Sequence, residues 1–117
     1  MQRYTRLAAW VEAHALAIRI YRVTDSFPKR EWYGLASQLR RAALSVPTNL
    51  AEGSKRGSDR DYAHFVNIAE GSAAETEYLI YFCAEIGLIK REEAVELMQR
   101  LAVLFRKLVS LRRRLRA

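Results

Sequence analysis

The chain has 117 residues, half of them hydrophobic, and a formal net charge of +7. This length favours a single domain spanning residues 1–117, and the hydrophobic content argues against an intrinsically disordered protein. Only five glycines and two prolines interrupt the sequence, which favours long helices over a fold with many turns.

Two helices are predicted in the first half of the chain. Apolar residues recur at intervals of three and four over residues 7–26, and this helix is expected to end before Pro28, because proline disfavours helical geometry in the residue before it. A second helix is predicted over residues 32–54. Pro47 lies inside it and lacks the N–H group of the helical hydrogen bond, so we expect a kink near residues 43–47. The inner stripe of the first helix is predicted to comprise Leu7, Trp10, His14, Ala17, Ile18 and Tyr21.

Two further helices are predicted in the second half. Ser58 followed three residues later by Asp61 has the form of a capping box, so the third helix is expected to begin there. Gly87 is expected to end it, since glycine is the usual residue just past a helix. A fourth helix is predicted over residues 91–115, where leucines recur with helical spacing. The residues therefore predict an all-α protein with four helices.

A line of polar residues runs beside the apolar stripe of the second helix. It mixes short and amide side chains with one arginine and one glutamate, unlike the loose lysines and glutamates of a typical solvent-facing surface. Such groups can satisfy one another when buried between helices. The alternative is an ordinary solvated face. The line comprises Gln38, Arg41, Ser45, Asn49 and Glu52.

Several short motifs occur in an order and spacing that resemble a known family. The longest is SQLRRAALSVPTNLAEG at residues 37–53. The others are Trp10, Phe27-Pro28, Tyr33-Gly34-Leu35, Arg56, Phe65, Ala69, Gly71-Ser72 and Glu75. Extending from about Trp10 to Ile89, they resemble the small bacterial four-helix-bundle proteins encoded within intervening sequences of large-subunit ribosomal RNA genes.

The resemblance implies a fold and an assembly, but no reaction. It implies an antiparallel, up-and-down four-helix bundle that forms a ring-like homo-oligomer, most often a pentamer. It also strengthens the interpretation of the polar line as a network between the second and third helices. The predicted members of this network are Gln38, Arg41, Asn49, Glu52, Ser72 and Glu75.

The third helix contains seven consecutive uncharged residues, 78–84, which cover all sides of a helix. One side suffices for the core of the chain, and a helix that is apolar all round is normally buried all round. Tyr78, Tyr81 and Phe82 are therefore predicted to form an oligomer interface. The alternative is a monomer in which the tyrosines cover the core with their hydroxyl groups outward.

The positive charge is concentrated in the last quarter of the chain. Residues 1–89 carry 11 Lys and Arg against 10 Asp and Glu, whereas residues 90–117 carry nine against three. This asymmetry predicts an anionic partner, RNA or DNA, bound through its phosphates without sequence preference. The alternatives are a merely solubilising end and a protein-interaction scaffold. The predicted nucleic-acid-binding residues are Arg106, Lys107, Arg112, Arg113, Arg114 and Arg116, with Lys55 and Arg56 secondary.

The sequence argues against an enzyme and against a bound cofactor. A di-iron bundle needs two Glu-x-x-His pairs, and this chain has only His14 and His64. No glycine-rich phosphate loop or nucleophile elbow occurs. Cys83 is the only cysteine and lies in an apolar run, which predicts an unreactive thiol in a reducing cytoplasm. The apolar run is far shorter than the ~20 residues of a membrane span, and no signal peptide is recognised.

Overall fold

The computed structural model describes Tyr4 and residues 7–116. No β-strand occurs within this described part of the chain, which is all-α. Two short helical turns, Lys29–Glu31 and Trp32–Ala36, precede the second long helix. The four long helices are α1 (Ala8–Thr24), α2 (Ser37–Ser54), α3 (Asp59–Glu85) and α4 (Arg91–Arg116).

The ends of α3 follow the local signals that predict them. The Ser58 hydroxyl oxygen accepts a hydrogen bond from the Asp61 backbone N–H at 3.1 Å, so Ser58 caps the start of the helix as predicted. After Glu85 the chain reaches Gly87 with φ +85°, a left-handed conformation that glycine adopts without steric cost. The Leu88 N–H then bonds back to the Cys83 carbonyl at 2.8 Å and satisfies one of the free carbonyls at the end of the helix.

The regular part of α2 begins later than the sequence predicts. The turn at Trp32–Ala36 is wound more widely than an α-helix, and Gly34 lies outside the helical region at φ −107° and ψ −106°. Regular helix starts only at Ser37, one turn after the predicted start. From there α2 continues unbroken through the buried Pro47.

The predicted inner stripe of α1 is wrong for His14, Ile18 and Tyr21, which are exposed, whereas Ala17 is buried and Trp10 packs against the core. The residues of α1 that face the core are Ala9, Ala13, Leu16, Ala17, Ile20, Val23 and Thr24. Trp10 is only half-buried and stacks on the exposed His14, with 4.6 Å between the ring centroids. Ile18 and Tyr21 are both 41% exposed. The cause is that α1 carries two adjacent apolar lines, and helical periodicity alone does not decide which of them faces the core.

All four helices contribute to one hydrophobic core. The main packing partners are α1 with α2, α2 with α3, α3 with α4, and α4 with α1, so the helices enclose the core in chain order. The described part of the molecule is elongated, with extents of 43 × 23 × 23 Å. The largest fully buried side chains include Leu16, Ile20, Leu39, Leu50, Ile80, Leu97, Leu101, Leu104 and Leu108. No helix in the described part is both long and apolar enough to cross a membrane.

Gly53 lies where α2 and α3 approach each other closely. A Cβ atom added to Gly53 would come within 2.7 Å of the Phe65 Cβ and 2.9 Å of the Tyr62 Cδ1. Real carbon atoms do not approach that closely, so this contact between the helices requires glycine.

Charged contacts that sequence reasoning misses join α1 to its two neighbours. Arg40 on α2 donates to the Asp25 carboxylate at 2.8 Å and to the Tyr21 carbonyl at 3.1 Å, just where α1 ends. Arg19 on α1 donates to the Glu96 carboxylate of α4 at 3.0 Å. This hydrogen bond and the charge of Arg19 lower the pKa of Glu96.

Candidate functional surfaces

The last three turns of α4 carry the densest group of cations. Arg106 and Arg113 are seven residues apart and therefore share one stripe of the helix, with Arg114 and Arg116 to either side. All four are exposed, and none forms an ion pair or hydrogen bond with another described residue. Lys107 is half-buried. The charges of these exposed arginines are therefore available to an outside ligand.

Arg112 has a different environment from its neighbours. Its Nε donates to the Glu70 carboxylate on α3 at 2.7 Å. The side chains of Arg112 and Glu70 are only 23% and 18% exposed. Of the predicted binding residues on α4, Arg112 is thus the one held in a contact between helices.

The two secondary candidates lie in the loop between α2 and α3. Arg56 donates to the Glu52 carboxylate at 3.0 Å, and its guanidinium carbon lies 4.6 Å from the centre of the Phe65 ring. The Lys55 ammonium lies 5.9 Å from the centre of the Tyr4 ring. Both cations therefore already have partners within the chain.

The loop before α3 and the end of α4 lie at the same end of the molecule. A pocket with a volume of about 460 Å³ is lined both by the first turns of α3 and by the last turn of α4. This end therefore brings together basic residues that are about 50 positions apart in sequence. Arg60, which sequence reasoning does not single out, belongs to this pocket. The end also carries the exposed acids Asp59 and Asp61.

Among the described residues, a direct link joins Ser45, in the polar line of α2, to the predicted network member Ser72 on α3. The hydroxyl oxygens of Ser45 and Ser72 lie 2.8 Å apart, and the Asn49 amide donates to the Ser45 hydroxyl at 2.9 Å. Arg41 donates to Ser37 on its own helix at 2.6 Å. Three other predicted members, Gln38, Glu52 and Glu75, are exposed. A wider link through Arg41, Asn49, Glu52 and Glu75 stays a prediction.

The outer side of α3 presents a large apolar surface. Tyr78 is 61% exposed, Tyr81 56% and Phe82 37%. Beside them, a groove with a volume of about 610 Å³ runs between α3 and α4, lined by Tyr81, Ala84, Ala94, Val95 and Met98 among others. A second apolar surface lies on α1 and α2 and consists of Val11, Ile18, Tyr21 and Leu44, all exposed.

Cys83 is fully buried on the inner side of α3. Its burial raises the pKa of the thiol to about 11. The thiolate, which is the nucleophilic form, is therefore scarce at neutral pH. Among the residues that the structure describes, no three or more His, Cys, Asp or Glu side chains are grouped so as to hold a metal ion.

Taken together, the fold and these surfaces define an all-α protein of four long helices around one core. A family model described as "23S rRNA-intervening sequence protein" matches residues 5–110, and the chain belongs to this family. The fold is similar to a crystal structure of a protein of unknown function from the S23 ribosomal protein family of Bacteroides thetaiotaomicron. The identity is 23%, the TM-score is 0.79, and the match covers 88% of this chain and 96% of the other. No curated protein matches the chain.

Proposed function

We propose that this protein is a non-catalytic, homo-oligomeric four-helix bundle that binds RNA or DNA without reading its sequence. The observation that carries the proposal is that Arg106, Arg113 and Arg114 are exposed and form no ion pair with another described residue. Arginines in this state contact phosphates as charges and release condensed counterions on binding. A cytoplasmic location is part of the proposal and fits the single, buried cysteine.

Our proposal includes an antiparallel, up-and-down order of the helices, which two pairs of contacts support. On α2 and α3, Ser45 meets Ser72, whereas Gly53, further along α2, meets Phe65, which is earlier on α3. Later residues of α2 thus contact earlier residues of α3, as expected for two helices that run in opposite directions. The same holds for α3 and α4, where Glu70 meets Arg112, and where residues 81–85 share a groove with residues 91–102.

The proposed assembly is a ring, with five subunits as the family resemblance implies. Its support is that apolar side chains are exposed on two different sides of the molecule, α3 with α4 and α1 with α2. A head-to-tail interface between unlike surfaces forms a closed ring when the rotation between subunits closes. In such a ring every exposed cation is repeated, and several weak phosphate contacts act together.

A protein-interaction scaffold is the second candidate, and the groove between α3 and α4 favours it. Largely apolar side chains line much of this groove, among them the exposed Tyr81 and Val95 and the half-buried Met98. A helix from another protein with an apolar face fits such a groove. This candidate predicts no binding to a polyanion at any salt concentration.

The deciding experiment measures binding to a fluorescent single-stranded DNA and its RNA counterpart over a series of salt concentrations. The wild type is expected to lose affinity steeply as salt rises, with a log–log slope of about −0.7 for each phosphate contacted on a single strand. The variant R106Q/R113Q/R114Q removes three contacts in each subunit and is expected to bind more weakly and with a flatter slope.

The matched control is R22Q/R30Q/K90Q, which removes the same charge from exposed residues at the other end of the molecule. It is expected to bind nearly as the wild type does. Absence of wild-type binding at low salt contradicts nucleic-acid binding and leaves the scaffold. Equal losses in the two triple variants contradict the choice of surface. Light scattering of the same samples reports the assembly, and a mass of 13.5 kDa would contradict the ring.

A further inference from the structure

The pocket between the start of α3 and the end of α4 has a lining that suits an anion. Arg60, His64 and Asn67 are three and four residues apart, so their side chains share one stripe of α3. Arg116 of α4 closes the opposite side, and Ala63 and Leu115 form the apolar remainder of the lining. Two arginines, one imidazole and one amide therefore meet in a space of about 460 Å³.

These four polar groups make no hydrogen bond or ion pair elsewhere in the described structure, although the His64 ring lies edge-on to the Phe65 ring at 5.9 Å between centroids. Arg60, His64, Asn67 and Arg116 are all exposed. Arg112 differs from them, because it already forms an ion pair with Glu70. The four groups can therefore turn their donors toward a bound ligand without breaking any described hydrogen bond or ion pair.

No carboxylate is among the described lining residues of the pocket, although the exposed acids Asp59 and Asp61 lie at the same end of the molecule. Glu70, one turn further along α3 from Asn67, is paired with Arg112 at 2.7 Å, so a positive charge lies beside its negative one. An arginine presents up to five N–H donors in a planar fork that matches the oxygens of a phosphate.

We propose that this pocket binds a phosphate group, with Arg60 and Arg116 gripping it from opposite walls and His64 and Asn67 completing its hydrogen bonds. The inference rests on the proposed function only for the source of the phosphate. That source is the terminal phosphate of a strand, a phosphodiester within a strand, or free phosphate. The pocket is separate from the stripe of Arg106 and Arg113, whose role is to follow the strand by charge.

The first measurement follows the pocket directly by NMR of the two histidine rings. Titration with inorganic phosphate at fixed pH, with sodium chloride at equal ionic strength as the reference, is expected to shift the His64 signals. His14 serves as the internal control, because it stacks on Trp10 on the outer side of α1 and lines no part of this pocket. Equal shifts of both rings, or none at His64, count against a phosphate site.

The second measurement compares R60Q/R116Q with R22Q/R30Q, two variants that lose the same charge. The affinity of each variant is measured for a 5′-phosphorylated oligonucleotide and for the same strand with a 5′-hydroxyl group. Loss of the two arginines is expected to weaken binding at least ~10-fold, as the loss of one charge-assisted hydrogen bond does. A loss confined to the phosphorylated strand identifies a strand end, and an equal loss for both strands identifies an internal phosphodiester.

The outcomes separate the pocket from the proposed function. A His64 shift with inorganic phosphate but no oligonucleotide binding by the wild type supports the pocket and contradicts nucleic-acid binding. Oligonucleotide binding that R60Q/R116Q and R22Q/R30Q reduce equally, without a His64 shift, supports nucleic-acid binding and overturns the pocket.

Discussion

Substitution of Gly53 by alanine tests the close packing of α2 against α3. The new Cβ would lie 2.7 Å from the Phe65 Cβ, about 1 Å closer than the ordinary carbon contact of ~3.5–4.0 Å. Since the Phe65 Cβ is fixed to the α3 backbone, rotation of a side chain does not relieve the clash, and the two helices must move apart. Overpacking of this kind costs about 1–3 kcal/mol.

The opposing term is the helix propensity of alanine, which exceeds that of glycine by at most ~1 kcal/mol in a helix interior and by less at Gly53, the residue before the last of α2. The net expectation is a destabilisation of about 1–2 kcal/mol from these two terms. For a chain of this size each kcal/mol corresponds to a change of roughly 4 °C in the melting temperature.

Gly71→Ala is the matched control, because Gly71 lies in the middle of α3 and an added Cβ there meets no atom within 4 Å. It is expected to raise the melting temperature through helix propensity alone. Thermal and urea unfolding at one fixed protein concentration measure both variants. If Gly53→Ala is as stable as the wild type, the close approach of the helices at Gly53 is refuted.

Two further predictions concern the inside of the molecule. Glu70→Ala leaves Arg112 without its partner in a site that is three-quarters buried, and a cost of about 1.5–3 kcal/mol is expected in urea unfolding. Glu52→Ala, which breaks the exposed pair with Arg56, is expected to cost no more than about 1 kcal/mol, and equal costs would refute a special role for Glu70. Because the pKa of Cys83 is raised to about 11 in the native state, its contribution to stability is complete below the ordinary thiol pKa and is lost as the pH rises from about 9 through 11. Cys83→Ala is expected to make unfolding less sensitive to pH over this range, and rapid labelling of the native thiol at pH 8 would contradict its burial.

Helix boundaries were predictable wherever a local signal sets them. Ser58 and Gly87 define the ends of α3 through contacts within a few residues, and the structure confirms both. The start of α2 lacked such a signal, because Gly34 unwinds a turn whose apolar spacing continues into the helix. In α1 the choice between two apolar lines depends on the neighbouring helices, which the spacing of Ile18 and Tyr21 does not reveal.

The sequence shows which residue types are concentrated in each candidate surface, but it does not show which of these residues lie together in the structure. Sequence reasoning treats the arginines of α4 alike, whereas the structure distinguishes Arg112, which contacts α3, from Arg113 and Arg114, which face outward. The phosphate pocket combines Arg60 with Arg116, more than 50 positions away. Only the meeting of the start of α3 with the end of α4 brings these residues together.

The described part of the molecule is 43 Å long, and the uneven charge along it affects the rate at which the protein associates with a polyanion. The end with Arg113, Arg114 and Arg116 has an excess of positive charge, whereas at the start of α4 the cations Lys90 and Arg91 are balanced by Glu92 and Glu93. A molecule with this electric dipole moment experiences a torque in the field of a polyanion and turns its positive end forward before contact. Association is then faster than random collision allows, and added salt slows it by screening the field. The arginines at this end are therefore expected to increase the association rate measurably even where the equilibrium affinity is low.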